Sequence, residues 1–369
     1  MKTDRLYFID VVRAFAILMM LQGHFIDTLL AVNFRDTSNV VFRVWQYFRG
    51  ITAPVFFTIS GLIFTYLLIK ANSKGKSNER IIKGIVRGFM LIGIGYALRI
   101  PVFRWFSGNF DTYFLVIDVL QCIGISLILI VFFYKLVQRK VLVFSVLMFS
   151  LGGVIFITEP LYRTYTAESI PLVFANYLTK SNGSIFTIIP WFGYMAYGAF
   201  IATIFFRHIN RPKFKSTLIF GFLILGLFLV RGSTWVFQNI YLWTDIKLVS
   251  DVANFNYLFI RLGNVLVIFS VFYAFERFLK QPLILKIGQK TLSIYVIHFI
   301  VLYGSFTGLG LNRIFGKNLN PKEAIFGAIL FLSVISFVAI YRTKANSFVY
   351  LKLRLLAQKF SSIFTSLNN

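Results

Sequence analysis

Two histidines set inside long apolar stretches are the residues best placed to do chemistry. His24 lies in IDVVRAFAILMMLQGHFID and His298 in TLSIYVIHFIVLYG. A neutral imidazole can take a proton from a hydroxyl or amine near pH 7. Asp10 and Arg13 stand three apart and can pair on a helix. Arg13 and His24 are eleven apart, about 1100° of helical rotation, which is three turns plus about 20°. They therefore share one stripe, separated by about 16 Å along the axis. Asp27 follows His24 by one turn and is placed to hydrogen-bond its ring. Asp118 and Gln121 share a face in FLVIDVLQCIG, and Arg261 precedes Asn264 by a turn in YLFIRLGNVL. Arg49 falls near the outer end of its own apolar stretch, and Tyr295 lies one turn below His298.

These groups are informative because each sits where charge is expensive. An ionisable side chain at the centre of a bilayer costs about 2.5–3.5 kcal/mol or more, so it must face protein or a water-filled cavity. His24, Asp118, Arg49 and Arg261 are expected at similar depth around an outward-facing polar cavity, with His298 near mid-membrane. Blander readings stand beside this one: a structural salt bridge for Asp10–Arg13, a satisfied core histidine for His24, and snorkelling for the two arginines. His208, in a basic loop, is read as inert. The single cysteine, Cys122, excludes an intrachain disulfide and any multi-cysteine metal site. No metal, phosphate-loop, dinucleotide or nucleophile-elbow motif occurs in a supporting context.

The elements that must position these residues are membrane helices. Of 369 residues, 58% are hydrophobic and 14% charged, with 45 Phe and a mean hydropathy of +0.77. Soluble domains carry about 45–50% apolar and about 25% charged residues, so a water-soluble enzyme and a disordered chain are both excluded. Ten apolar spans are read at roughly 8–31, 45–69, 85–103, 114–134, 141–158, 187–206, 216–236, 257–276, 291–311 and 324–342. The first is too long for a signal peptide, carries Asp10 and Arg13, and is read as a retained helix. Of 38 Lys and Arg, 24 fall on one side of the alternating loops, 11 on the other and three within spans. The positive-inside rule puts the 24-residue side, with both termini, in the cytoplasm. The net charge of +25 then needs no nucleic acid partner. The predicted fold is an all-α integral membrane protein, N-in and C-in. Residues 1–342 form its membrane domain, and a basic cytoplasmic tail follows at 343–369. Within that tail, Phe348–Phe364 reads equally as an interfacial helix or a frayed end. The outer loops 159–186 and 237–256 are long and polar enough to cover a site.

Several segments resemble a known family. Arg13, ten residues and His24 are similar to the R-x10-H signature of membrane acyltransferase family 3. IDVVRAFAILMMLQGH at 9–24, TAPVFFTISG at 52–61, IDVLQCIGIS at 117–126, IPWFGYMAYGAFIA at 189–202 and LSIYVIHFIVLY at 292–303 look closer to a related branch, the heparan-α-glucosaminide N-acetyltransferase-like proteins. The resemblance implies about ten helices around a central pore in the cell membrane. Acyl-coenzyme A reaches it from the cytoplasm as co-substrate, and an acceptor glycan or lipid-linked sugar from the other side. Arg13 and His24 match the R-x10-H positions, and His298 matches the histidine of the last conserved segment. Where some relatives have glycine, this chain has Asp118, and others lack a histidine at His24, so which histidine is the base stays open at this point.

On this reading His24, His298, Asp27 and Asp118 are the catalytic candidates, with a carboxylate fixing the histidine tautomer. Arg13, Asp10, Arg80, Lys83 and Arg87 are candidates for holding coenzyme A, since arginine suits phosphate. Arg49, Arg261, Gln121, Asn264 and Trp191 are candidates on the acceptor side. No permanently bound cofactor and no metal is expected; membrane lipids and a homo-oligomeric partner copy complete the expected contacts. Two other functions fit the same polar residues: a proton-coupled transporter or lipid flippase, and a non-catalytic membrane subunit. The paired repeats or interrupted helices common in transporters are not evident.

Overall fold

A computed structural model of the chain describes residues 6–110 and 112–341; the tail expected at 343–369 lies outside the described residues. Among them, nine helices are long and apolar enough to cross a membrane, and a bent pair supplies a tenth crossing. The all-α membrane architecture follows from the solvent. Lipid offers no hydrogen-bond partners, so a spanning backbone must satisfy itself within helices.

The first helices are α1 (Tyr7–Leu29), α2 (Val40–Asn72), α3 (Ser77–Arg99) and α4 (Val119–Leu136). After them come α5 (Val141–Arg163), α6 (Ile188–His208), α7 (Phe214–Arg231) and α8 (Tyr257–Ala274). The bent pair is α9 (Pro282–Gln289) and α10 (Thr291–Tyr303), and α11 (Pro321–Tyr341) is the last crossing. The angle at the α9–α10 break is 70°. Shorter helices, including Ser233–Thr244 and Lys247–Asn254, occupy the loops.

α1 is the hub. It packs against α2, α8, α9, α10 and α11, which is why a single helix can carry so many polar side chains without exposing them to lipid. Its far end is tied down by backbone bonds, Ala31 N–H to the Leu319 carbonyl at 3.0 Å and Leu319 N–H to the Leu29 carbonyl at 3.0 Å. α2 and α6 pack backbone to backbone. A Cβ at Gly198 would overlap the Thr58 carbonyl, and one at Gly61 would overlap that of Met195. Only glycine allows this backbone contact. The outward faces of α5, α7 and α11 expose Phe149, Phe220, Ile224, Phe326 and Phe337, the surface a lipid chain covers.

Helix starts near the site are set by side chains. Asn39 caps α2, accepting from the N–H groups of Val41 and Phe42. Asp118 caps α4, and Gln121 closes the reciprocal capping box. The fourth crossing, expected from residue 114, therefore becomes α-helical only after Asp118, with a 3-10 turn over Thr112–Leu115 before it. Asp118 is a helix terminus rather than a mid-helix charge.

Candidate functional site

α1 and α10 run side by side in the same direction, in matched register. At one end the Arg13 guanidinium donates to Thr291 Oγ1 at 2.7 Å. Eleven residues later on α1, and twelve later on α10, His24 Nδ1 meets the Tyr303 hydroxyl at 2.7 Å. The two helices thus share a polar seam whose ends are about 16–18 Å apart at 1.5 Å per residue. His298 sits within the seam. Its ring centroid is 5.4 Å from that of His24 and 4.9 Å from that of Tyr295. His298 is fully buried, and neither ring nitrogen has a hydrogen-bond partner. A buried polar group without a partner is uncommon and calls for an explanation; here it lies beside a second histidine. In this register the His298 backbone lies about 6 Å nearer the Arg13 end than that of His24, and the two side chains close that gap.

At the Arg13 end the seam opens into a cavity of about 350 Å³. Its mouth carries Arg13, Lys70, Arg80 and Arg87, with Asp10 beside them. Asp10 lies 3.8 Å from Arg13, at the i,i+3 spacing read from sequence. Arg80 Nε is buried without a partner. The walls turn apolar inward through Phe64, Leu91, Ile123 and Leu127, and Tyr295 lies in the deeper lining. Tyr295 is fully enclosed and makes the edge contact with His298. A cationic mouth, an apolar shaft and a histidine pair therefore follow one another along α1 and α10. Of the five residues expected to hold a cytoplasmic donor, Arg13, Asp10, Arg80 and Arg87 line this cavity. Lys83 does not; it faces outward and pairs with Glu79 one turn away.

Both carboxylates expected beside the histidines have other partners. Asp27 pairs with Arg49 of α2, while the ring of His24 is held by Tyr303. Asp118 pairs with Arg99 at 2.7 Å, and the two side chains are only 10% and 6% exposed. Its other oxygen caps Val119 N–H at 2.7 Å, and it faces the Tyr295 hydroxyl. The Arg99 guanidinium also lies over the ring of Phe299, the neighbour of His298, at 5.7 Å. Asp118 thus reaches the histidines through Tyr295 and does not hydrogen-bond them.

The residues expected on the acceptor side divide. Arg49, Arg261 and Asn264 gather on the face opposite the cavity mouth. The aliphatic stem of Arg49 lies on Gly23, beside His24, and Arg261 lies against Gly50. Asn264 accepts from the Tyr47 hydroxyl at 2.9 Å. Gln121 and Trp191 lie elsewhere. Gln121 is enclosed as the capping partner of Asp118 and packs against Gly95. Trp191 packs into the core in tilted ring contacts with Phe57, Phe186 and Tyr194. Arg99, Thr291 and Tyr303 are the contributors that sequence reasoning passed over. Tyr303 ends the segment LSIYVIHFIVLY, so its place there was the available signal; Arg99 read as one more loop cation.

Among the described residues, no group of three or more histidine, cysteine or acidic side chains is arranged to hold a metal ion. A family model described as the catalytic domain of heparan-alpha-glucosaminide N-acetyltransferase matches residues 5–243. No curated protein matches the chain. The matched stretch contains His24, Arg49, the cationic mouth and Asp118; α10 with His298 lies beyond it.

Proposed function

Because the chain belongs to the heparan-alpha-glucosaminide N-acetyltransferase catalytic family, a family of membrane acetyltransferases, we propose that it moves an acetyl group across the bilayer. The donor is acetyl-coenzyme A on the cytoplasmic side, and the acceptor is a hydroxyl or amine of a glycan or lipid-linked sugar on the other. The observation that carries this reading is the line from the cationic cavity mouth to the His298–His24 pair. Arg13, Lys70, Arg80 and Arg87 offer the phosphates of coenzyme A fixed positive charge. The apolar shaft suits the pantetheine arm and excludes water from the thioester. The 24-to-11 bias of basic residues supports a mouth that opens to the cytoplasm.

At the inner end the roles divide. His24 donates Nδ1–H to the Tyr303 oxygen, which leaves Nε2 with its lone pair. The acceptor hydroxyl or amine gives its proton to Nε2 as it attacks the thioester carbonyl. The new C–O or C–N bond forms, the C–S bond breaks, and coenzyme A leaves as a thiol with the proton returned by His24. His298, with an N–H free of other partners, donates to the carbonyl oxygen as charge grows there. Separating donor and acceptor across a bundle explains why the seam runs along the middle half of α1, from Arg13 to His24.

The test uses inverted membrane vesicles supplied with radiolabelled acetyl-coenzyme A, reading label in luminal glycans and lipids. His24→Ala should lower transfer by about 10²–10⁴-fold, the usual cost of losing a general base, with coenzyme A binding retained. His298→Ala should reduce transfer and weaken donor binding. Normal transfer in both variants contradicts the mechanism.

A further inference from the structure

The face opposite the donor cavity holds more positive charge than the protein neutralises, and it does so next to His24. Arg49 is matched by Asp27. Arg163 is matched by Glu159, which also accepts from the Tyr257 hydroxyl at 3.0 Å. That leaves Arg261. Among the described residues no carboxylate lies within ion-pairing distance of it. Its guanidinium rests over the Tyr257 ring at 5.1 Å and against Gly50, where an added Cβ would stand 3.2 Å from Nη2. It therefore lies between α8 and α2, packed against protein on both sides. Lys180, on the loop above, adds its charge to the same region. One turn below, the Asn264 carbonyl is occupied by Tyr47 while its Nδ2 is buried with no partner. A cation within a span is costly unless something anionic meets it, and a buried unpartnered donor is costly too.

We infer that Arg261, Asn264 and Arg49 form an oxyanion site for the acceptor, and that the acceptor is a sugar carrying a phosphate ester. The inference rests on the acetyl-transfer reading and names the acceptor's class. Arg49 bridges the two functions: its stem lies on Gly23 and its head pairs with Asp27, so an anion shared by Arg49 and Arg261 sits beside the base. A hydroxyl on a sugar anchored by its phosphate then reaches His24 Nε2, whereas a neutral sugar has no charge to hold it there. Guanidinium forks suit phosphate oxygens, with Asn264 Nδ2 as an added donor.

The experiment measures equilibrium binding to the full chain in nanodiscs with coenzyme A saturating the donor cavity, so that its arginines do not compete for phosphate. Three probes are used: glucose 1-phosphate, farnesyl phosphoglucose and octyl glucoside. Both phosphate probes should bind about tenfold or more tightly than octyl glucoside. Arg261→Gln should remove the difference, while Arg261→Lys keeps part of it and controls for folding. Tighter binding of farnesyl phosphoglucose than of glucose 1-phosphate identifies a lipid-linked acceptor; equal binding identifies a soluble sugar phosphate. Charge-blind binding, or an unchanged preference in Arg261→Gln, overturns the inference. Coenzyme A binding in the same samples separates the two levels: if it is normal while the phosphate preference is absent, only the acceptor class is wrong; if it is absent, the donor reading fails.

Discussion

Arg99 and Asp118 form an ion pair in a place where water cannot help either partner. Their side chains are 6% and 10% exposed and meet at 2.7 Å. Removing one partner of a buried pair typically costs about 3–5 kcal/mol, because the other charge is left uncompensated. Arg99→Met strands Asp118. Asp118→Asn strands Arg99 but keeps the helix cap, since Asn and Asp cap about equally well, so it isolates the charge. The double variant Arg99→Met/Asp118→Asn strands nothing. The two single variants should each lose about 3–5 kcal/mol, and the double should cost at least about 2 kcal/mol less than their sum. The assay is a double-mutant cycle on unfolding by SDS in mixed micelles, followed by tryptophan fluorescence. Single-variant losses under about 1 kcal/mol would show a pair as weak as one on an open surface. The reasoning that the pair is sealed, and that it backs Tyr295 beside His298, would then be refuted.

Tyr303→Phe removes the partner of His24 Nδ1 at 2.7 Å. Acetyl transfer should fall by about tenfold, the order of one lost hydrogen bond, with coenzyme A binding unchanged; an unaltered rate contradicts the proposed orientation of the base. Gly198→Ala places a Cβ on the Thr58 carbonyl and should destabilise the protein by about 1–3 kcal/mol through overpacking, seen as a lower melting temperature and folded yield in detergent. Reporter fusions after Asn72, Asn210 and Gln281 should read cytoplasmic, and those after Asn39, Asn182 and Asp251 extracytoplasmic; a cytoplasmic signal at Asn182 contradicts the orientation.

The crossings were legible because a helix in lipid must be apolar for about 20 residues, and each expected span overlaps a helix or the bent pair. Periodicity also placed Arg13 and His24 on one stripe, and both do contact α10. Where it failed was in choosing partners. Helical spacing sees only neighbours on the same helix, so it offered Asp27 to His24, whereas the ring is held by Tyr303, 279 positions away in the chain. Arg99 read as a loop cation because nothing local showed that Asp118 would close over it. Lys83 shares a basic run with Arg80 and Arg87, yet its position on α3 turns it toward Glu79. Trp191 packs among Phe57, Phe186 and Tyr194, and Gln121 joins the Asp118 capping box, contacts that helical spacing alone does not show. The bend at Lys290 was hidden too, since α9 was read as a basic loop before the ninth span.

The central claim is that a coenzyme A thioester reaches the histidine pair through the cationic cavity. Electron cryomicroscopy of the His24→Ala protein with acetyl-coenzyme A tests it most directly, since the donor should bind without turning over. The account predicts density for the phosphates at Arg80, Arg87 and Lys70, the pantetheine arm along Phe64, Leu91 and Ile123, and the acetyl carbonyl beside Tyr295 and within hydrogen-bond reach of His298. Donor density on the opposite face, or a thioester that stops at the Arg13 mouth, would contradict it.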